Sequence, residues 1–452
     1  MEQWIQEALA PMKIGDKRNT KRLGKLISQF SRKPTSSIPE ACGKRSETKA
    51  AYRFFSSPHI AVGDIQKGVF QATQARISKE SKVIVAQDTT NLDFTTHAAG
   101  KGFGYLERAW CRGIKVHSAL AISTEGIPLG LLNQQEWVRK EEEYGKKRER
   151  KRKATKEKES QRWLDCVTAV EERVGAKTEA IIVGDREADI FDLFAQRRRN
   201  GVELVIRCAH NRAVAGTPKL LFDKVLAAPR AGTKQIQITR ARNRKARMAQ
   251  VEVRFVAVEI LPPRYRTREH LSAVPLWAIS VKELAAPRGV NSIEWLILTT
   301  IEMTSLEQAW QCIQWYTLRW LIERYHYVLK SGCQVEELQL EEAERITRAL
   351  AVYSIVAWRL LFLTYSARIH PEQSCAAMLE QHEWEALSCF LQKTKHPPSD
   401  SPTMRQAVQM LAQLGGFLGR KSDGHPGVKV VWRGVKRLDD IAQAYLIFKR
   451  YG

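Results

Sequence analysis

The chain has 452 residues, 44% of them hydrophobic, which is enough for two to four domains with cores of their own. Its 73 Lys and Arg against 49 Asp and Glu give a net charge of +24 and a pI near 9.8, so a polyanionic partner is expected, nucleic acid before an anionic membrane. No apolar run reads as a bilayer span, no signal-peptide h-region follows Glu2, and the eight cysteines form no CxxC or zinc spacing, so free thiols in a reducing cytoplasm are expected.

In chain order, residues 1–75 read as helical and basic. Gly15-Asp16 opens a helix with Leu23, Leu26, Ile27 and Phe30 at i, i+3, i+4 and i+7, and with Lys17, Arg18, Lys21, Arg22 and Lys25 on its other face. The stretch RKPTSSIP (32–39) breaks it, and a second helix over 46–55 carries Lys49 and Arg53. Such cationic helices suit DNA reading or, equally, a solvated basic face. An α/β pattern follows. Strands are expected at 82–86, 116–123 and 127–137, a helix near 160–172, a strand at 179–183, a helix from about 188 and a strand at 202–206. This is an α/β fold class with a mixed sheet flanked by helices. The segment 139–162, almost without apolar residues, reads as a solvated basic loop with phosphate contact as a second role.

Residues 208–304 read as a β-rich insertion, with strands at 235–239, 251–260, 276–282 and 295–300 and a turn at 241–247. Next, Gln314–Glu336 reads as part of one long helix beginning near Ser305. In such a helix Tyr316, Arg319, Glu323 and Lys330 fall within about 60° of one another at about 100° per residue. A carboxylate among two cations and a phenol suits a metal ligand beside bound phosphates, or else an ordinary salt-bridged face. Further helices are expected at 343–365, 382–398 and 401–414, and a last one to Arg450.

Asp88 and Asp185 each directly follow an apolar strand, where sites of such folds collect. If the strands are neighbours, the two aspartates share divalent cations, Mg²⁺ or Mn²⁺, with a later carboxylate completing a two-metal site for phosphoryl transfer. Singly, each Asp reads as well as a turn or N-cap residue. Trp295 reads as core or as a stacking surface for an unpaired base.

Four blocks in order carry a resemblance: QDTTNLDF (87–94), GDREADIFD (184–192), the Y-x2-R-x3-E-x6-K pattern as Tyr316, Arg319, Glu323 and Lys330, and GGF…DGHPG…W near the end. With RGIKVHS, GLLNQQEWVR and AYRFF they make the chain similar to the DDE transposases of cut-and-paste insertion sequences, the IS-four group with its YREK signature. The resemblance implies an RNase H-like catalytic core over 76–365 with its β insertion, a helical DNA end-binding domain over 1–75 and a helical dimerisation domain over 366–452. It implies Asp88, Asp185 and Glu323 as the metal-binding triad for two Mg²⁺ ions. It makes Tyr316, Arg319 and Lys330 phosphate contacts, Trp295 the partner of a flipped base, and Arg207 and Arg53 further DNA contacts. Terminal inverted repeats, target DNA and a second copy of the chain are the implied partners. The alternatives are a stand-alone metal-dependent nuclease and an inactive DNA-binding relative.

Overall fold

The computed structural model describes residues 3–12, 14–146, 149, 153–238, 247–420 and 422–451. The helices are α1 (Gln3–Leu9), α2 (Lys17–Arg32), α3 (Ile38–Cys42), α4 (Arg45–Ser56), α5 (Val62–Ile77), α6 (Gln161–Arg173), α7 (Phe191–Ala195) and α8 (Leu221–Ala227). They continue as α9 (Leu306–Thr317), α10 (Trp320–Tyr327), α11 (Ala343–Ile369), α12 (Gln381–Gln392), α13 (Met404–Leu414) and α14 (Val428–Tyr451). The strands are β1 (Lys82–Asp93), β2 (Gly104–Tyr105), β3 (Arg112–Ser123), β4 (Pro128–Trp137), β5 (Glu179–Gly184), β6 (Val202–Arg207), β7 (Arg230–Ile238), β8 (Arg247–Ile260), β9 (Val274–Glu283) and β10 (Glu294–Thr299). They make a mixed sheet of ten strands flanked by helices, with helical N- and C-terminal regions, consistent with an RNase H-like core. Of the expected turn at 241–247, residues 241–246, and of the basic loop, residues 147–148 and 150–152, lie outside the described residues, while Arg247 opens β8.

The chain divides into two compact units. The first comprises residues 1–80, 89–148 and 321–452. Its core is α11, on which the N-terminal helices pack. Leu23, Leu26, Ile27 and Phe30 of α2 are fully buried, as their spacing predicts, and Phe30 stacks on Tyr353 with ring centroids 4.8 Å apart. Arg348 of α11, itself buried, donates to the carbonyls of Phe55 and Ile60 and so closes the C-terminal end of α4. By length and composition α11 would pass for a membrane span, against the expectation from sequence, but 89% of its most apolar window is buried in the fold. It is the central core helix of this unit. Strand β4 pairs antiparallel with β3, and β2 pairs with the start of β3.

The second unit comprises residues 81–88 and 149–320. β1 pairs parallel with β5, and β5 parallel with β6. β10, β9, β8 and β7 then follow antiparallel, so the inserted strands extend the same sheet. Val83–Ala86, Ile181–Val183 and Leu204–Ile206 are fully buried or nearly so, as doubly covered parallel strands require.

Two expectations are corrected. β1 does not stop at Ala86 but runs on to Asp93. The single helix from Ser305 to Glu336 is two α-helices, with Ser305 capping the first through the Gln308 N–H. At the junction Leu318 and Arg319 bond to Trp315 and Tyr316, three residues back, and the α ladder is lost. After α10 comes a π turn, Val328–Gly332, in which the Cys333 N–H reaches the Val328 carbonyl. A wheel counted at one fixed angle per residue therefore does not run from Tyr316 to Lys330.

Candidate active site

In the second unit, the register of the three parallel strands sets one row of side chains. Ala86 pairs with Val183, and Val183 with Val205. Two residues beyond these pairs stand Asp88, within β1, Asp185, the first residue after β5, and Arg207, the last of β6. Same-row residues on parallel neighbours share a face about 4.8 Å apart per strand. Continued by two residues, this register turns two carboxylates and a guanidinium to one face, at the carboxyl ends of β5 and β6 and midway along β1.

β10 extends this face. Ile297 pairs with Arg207, so Trp295, two residues earlier, projects on the same side as both. The Arg207 guanidinium donates to the Glu294 carbonyl at 3.2 Å. The Trp295 ring stands edge-on to Tyr316 of α9, with centroids 5.5 Å apart. Tyr316 is buried, and burial raises its hydroxyl pKa while the nearby Arg319 and Arg207 guanidiniums pull the other way. Asp185, Arg207, Trp295, Tyr316 and Arg319 thus form one cluster.

Asp185 has a second task. Its carboxylate caps the short turn Arg186–Ala188 by accepting from the Glu187 N–H at 2.9 Å. Gly184 lets this turn close. A Cβ there would come 2.7 Å from Ala188 Cβ and 3.0 Å from Ile206 Cδ1. Sequence reasoning missed Asp189 within the same block. It is buried and accepts from the Ala209 and His210 N–H groups at 2.7 and 3.0 Å and from Arg212. A carboxylate with so many donors holds the segment that follows Arg207 in place.

In the first unit, Glu323 is exposed on α10, while its neighbours Tyr325 and His326 are buried. Tyr325 Oη donates to Gln134 Oε1 at 2.9 Å, and Ser354 donates to the same atom at 3.1 Å. Gln134 Nε2 in turn donates to Glu136, as does Gln66. His326 Nε2 lies 3.3 Å from Ser118 Oγ, and burial pushes its pKa down to about 3, so the ring is neutral. These polar contacts fix the azimuth of α10, and with it the side on which Glu323 is presented. Single residues of this network carry no sequence signal of their own. Lys330 donates to the Asn91 carbonyl at 2.8 Å and pairs with Glu336 at 3.0 Å. Arg53 is exposed on α4.

Burial raises the Glu136 pKa from 4.5 to about 7. The folded state then holds this proton more tightly than the unfolded chain. The contribution of Glu136 is most favourable below its unfolded pKa and declines as pH rises from about 4.5 to about 7. Glu136→Gln should therefore raise the melting temperature at pH 8 and leave it nearly unchanged at pH 4.5. Equal effects at both values would assign the change to packing instead.

The row of Asp88 and Asp185 offers hard oxygen ligands of the kind that divalent ions take. Among the described residues, no group of three or more His, Cys, Asp or Glu side chains is gathered as a metal cluster.

Protein-family models match the chain in three places. A transposase DNA-binding family matches residues 1–60, a transposase DDE domain family matches residues 150–359, and the transposase Tn5 dimerisation domain family matches residues 355–451. The DDE match contains Asp185 and Glu323, and Asp88 lies before it. DNA binding, DNA cleavage with divalent metal ions and self-association are the activities these domains carry. Occurring in this order along one chain, they identify the protein as a Tn5-like DDE transposase, consistent with the IS-four family.

Proposed function

We propose that the protein is a cut-and-paste transposase that binds terminal inverted repeats through its N-terminal helices, cleaves the transposon ends and joins them to target DNA. The observation that carries this reading is the register row Asp88–Asp185–Arg207 beside Trp295 and Tyr316, in a chain matched by transposase families. Asp88, Asp185 and Glu323 would hold two Mg²⁺ ions. Bound there, such ions lower the pKa of water and stabilise charge on the leaving 3′ oxygen. Arg207, Arg319 and Lys330 hold phosphate oxygens, with the Tyr316 hydroxyl beside them. No covalent enzyme intermediate is required. The freed 3′-OH attacks the opposite strand to give a hairpin end, which is reopened before joining to target DNA. Hairpin formation forces a base from the stack, and Trp295 offers it an aromatic surface. The exposed Leu446, Ile447 and Phe448 of α14 suit pairing of two subunits in a synaptic homodimer. The setting is a bacterial cytoplasm, at the nucleoid.

The test uses an oligonucleotide of the inverted repeat found beside the gene. Wild-type protein with Mg²⁺ should cut at the repeat tip and yield a hairpin in a complex that sediments as a dimer. EDTA should abolish the cut, and Glu323→Gln should slow it by about a thousandfold or more. Binding without cleavage by the wild type would favour an inactive relative. Cleavage indifferent to Glu323→Gln would remove Glu323 from the metal site.

A further inference from the structure

The hairpin between β2 and β3 displays a residue that the family patterns do not use. Trp110 is 65% exposed, whereas the other 11 tryptophans are buried or half-buried. Trp is normally among the more buried residues. The loop that presents it is tightly made. The Cys111 N–H bonds to the Arg108 carbonyl, and the Leu106 N–H to the Cys111 carbonyl. Leu106 is buried beneath it. The Arg108 guanidinium lies over the Trp110 ring, 5.4 Å from its centroid.

The loop is also tied to the segment that follows Asp88. Glu107 pairs with Lys115 at 3.1 Å and accepts from Asn91 at 3.3 Å, while the Asn91 carbonyl receives Lys330. The exposed aromatic is therefore held in a fixed relation to Lys330, which the proposed function places on the phosphates of the cleaved end. Arg112 pairs with Glu141 at the base of the same hairpin. Within the loop no other exposed side chain is apolar and larger than Ala109. A ring among charged residues, with an arginine over it, suits a nucleotide base flanked by phosphates rather than an apolar protein face.

We infer that Trp110 is a stacking platform for an unstacked DNA base at or beyond the transposon tip, separate from the base expected at Trp295. The inference rests on the transposase reading. A base on this platform has left its helical stack, and the Arg108 guanidinium can then meet the neighbouring phosphate. Stacking of this kind tolerates any base, so the contact would steady distorted DNA without reading its sequence.

The experiment places 2-aminopurine singly through the last bases of the repeat and the first bases of the flank. Wild-type protein should change the fluorescence at one position. Trp110→Ala should abolish that change and slow cleavage or strand joining about 5- to 100-fold, while binding of the internal repeat stays within about twofold. Trp110→Phe, which keeps a smaller ring, should retain the fluorescence change and most of the rate. Thermal melting of both variants should match wild type, since the side chain is exposed. The same fluorescence response in Trp110→Ala as in wild type would overturn the platform. So would a loss of subunit association with the response unchanged, which would make Trp110 a protein contact. Wild-type protein that cuts no end DNA would overturn the transposase chemistry itself, an outcome distinct from wild-type cutting with a reporter indifferent to Trp110.

Discussion

Asp185→Asn should reduce strand cleavage by about a thousandfold or more while end binding stays within about twofold, because a neutral amide would replace a carboxylate proposed to hold the divalent ions. The choice of Asn separates the two tasks of this residue. Asp185 caps the Arg186–Ala188 turn through one oxygen, and Asn caps nearly as well as Asp. Asp185→Asn should thus keep the melting temperature of wild type, and Asp185→Ala should lose about 1 kcal/mol of stability along with the activity. Cleavage rates on repeat DNA and thermal denaturation of both variants check this. An active Asn variant beside a destabilised Ala variant would reduce Asp185 to a cap. Asp88 stands next to it in the row, so Asp88→Asn should reproduce the loss of cleavage.

The row itself could be read from sequence only in part. Apolar runs leading into Asp88 and Asp185 mark strands, but only Asp185 directly follows a strand end, whereas Asp88 lies inside β1. Their adjacency is not local information, because strand order depends on which strands pair across about a hundred residues. The same limit explains β1. Asp88 and Asn91 are weak strand formers, yet the strand continues to Asp93 with Leu92 fully buried. Tertiary pairing overrides propensity there. The helix break at Leu318–Arg319 has no Pro or Gly to announce it, so periodicity alone extends the helix too far. The π turn at Val328–Gly332 also has a distant setting. A Cβ on Gly332 would come 2.8 Å from the Trp432 ring of α14, a contact no local pattern records. The anchoring of α10 is of the same kind, since Tyr325, Gln134 and Ser354 meet only when β4 and α11 pack together. Chemistry-bearing residues were legible by type and motif, whereas the residues that orient them belong to long-range contacts.

Asp189→Ala should cost about 3–5 kcal/mol, the range for breaking a buried ion pair and leaving the other charge unmatched. The Asp189 side chain is wholly buried, and that of Arg212 is 13% exposed. The loss would also leave the Ala209 and His210 N–H groups without the acceptor they share. Urea denaturation checks the magnitude, and a change below about 1 kcal/mol would refute the buried-pair assignment. A double variant, Asp189→Ala with Arg212→Met, should recover part of the loss because no uncompensated charge remains. The effect should reach cleavage too. Asp189 follows Asp185 by four residues and clasps the segment just after Arg207, so it joins the ends of β5 and β6 on which both stand. With the clasp gone, two members of the row lose their shared support, and cleavage should fall even at temperatures where the variant remains folded. The double variant, which recovers part of the stability without restoring the carboxylate's backbone contacts, should stay slow; full activity in it would show that the clasp only folds the chain and does not align the site.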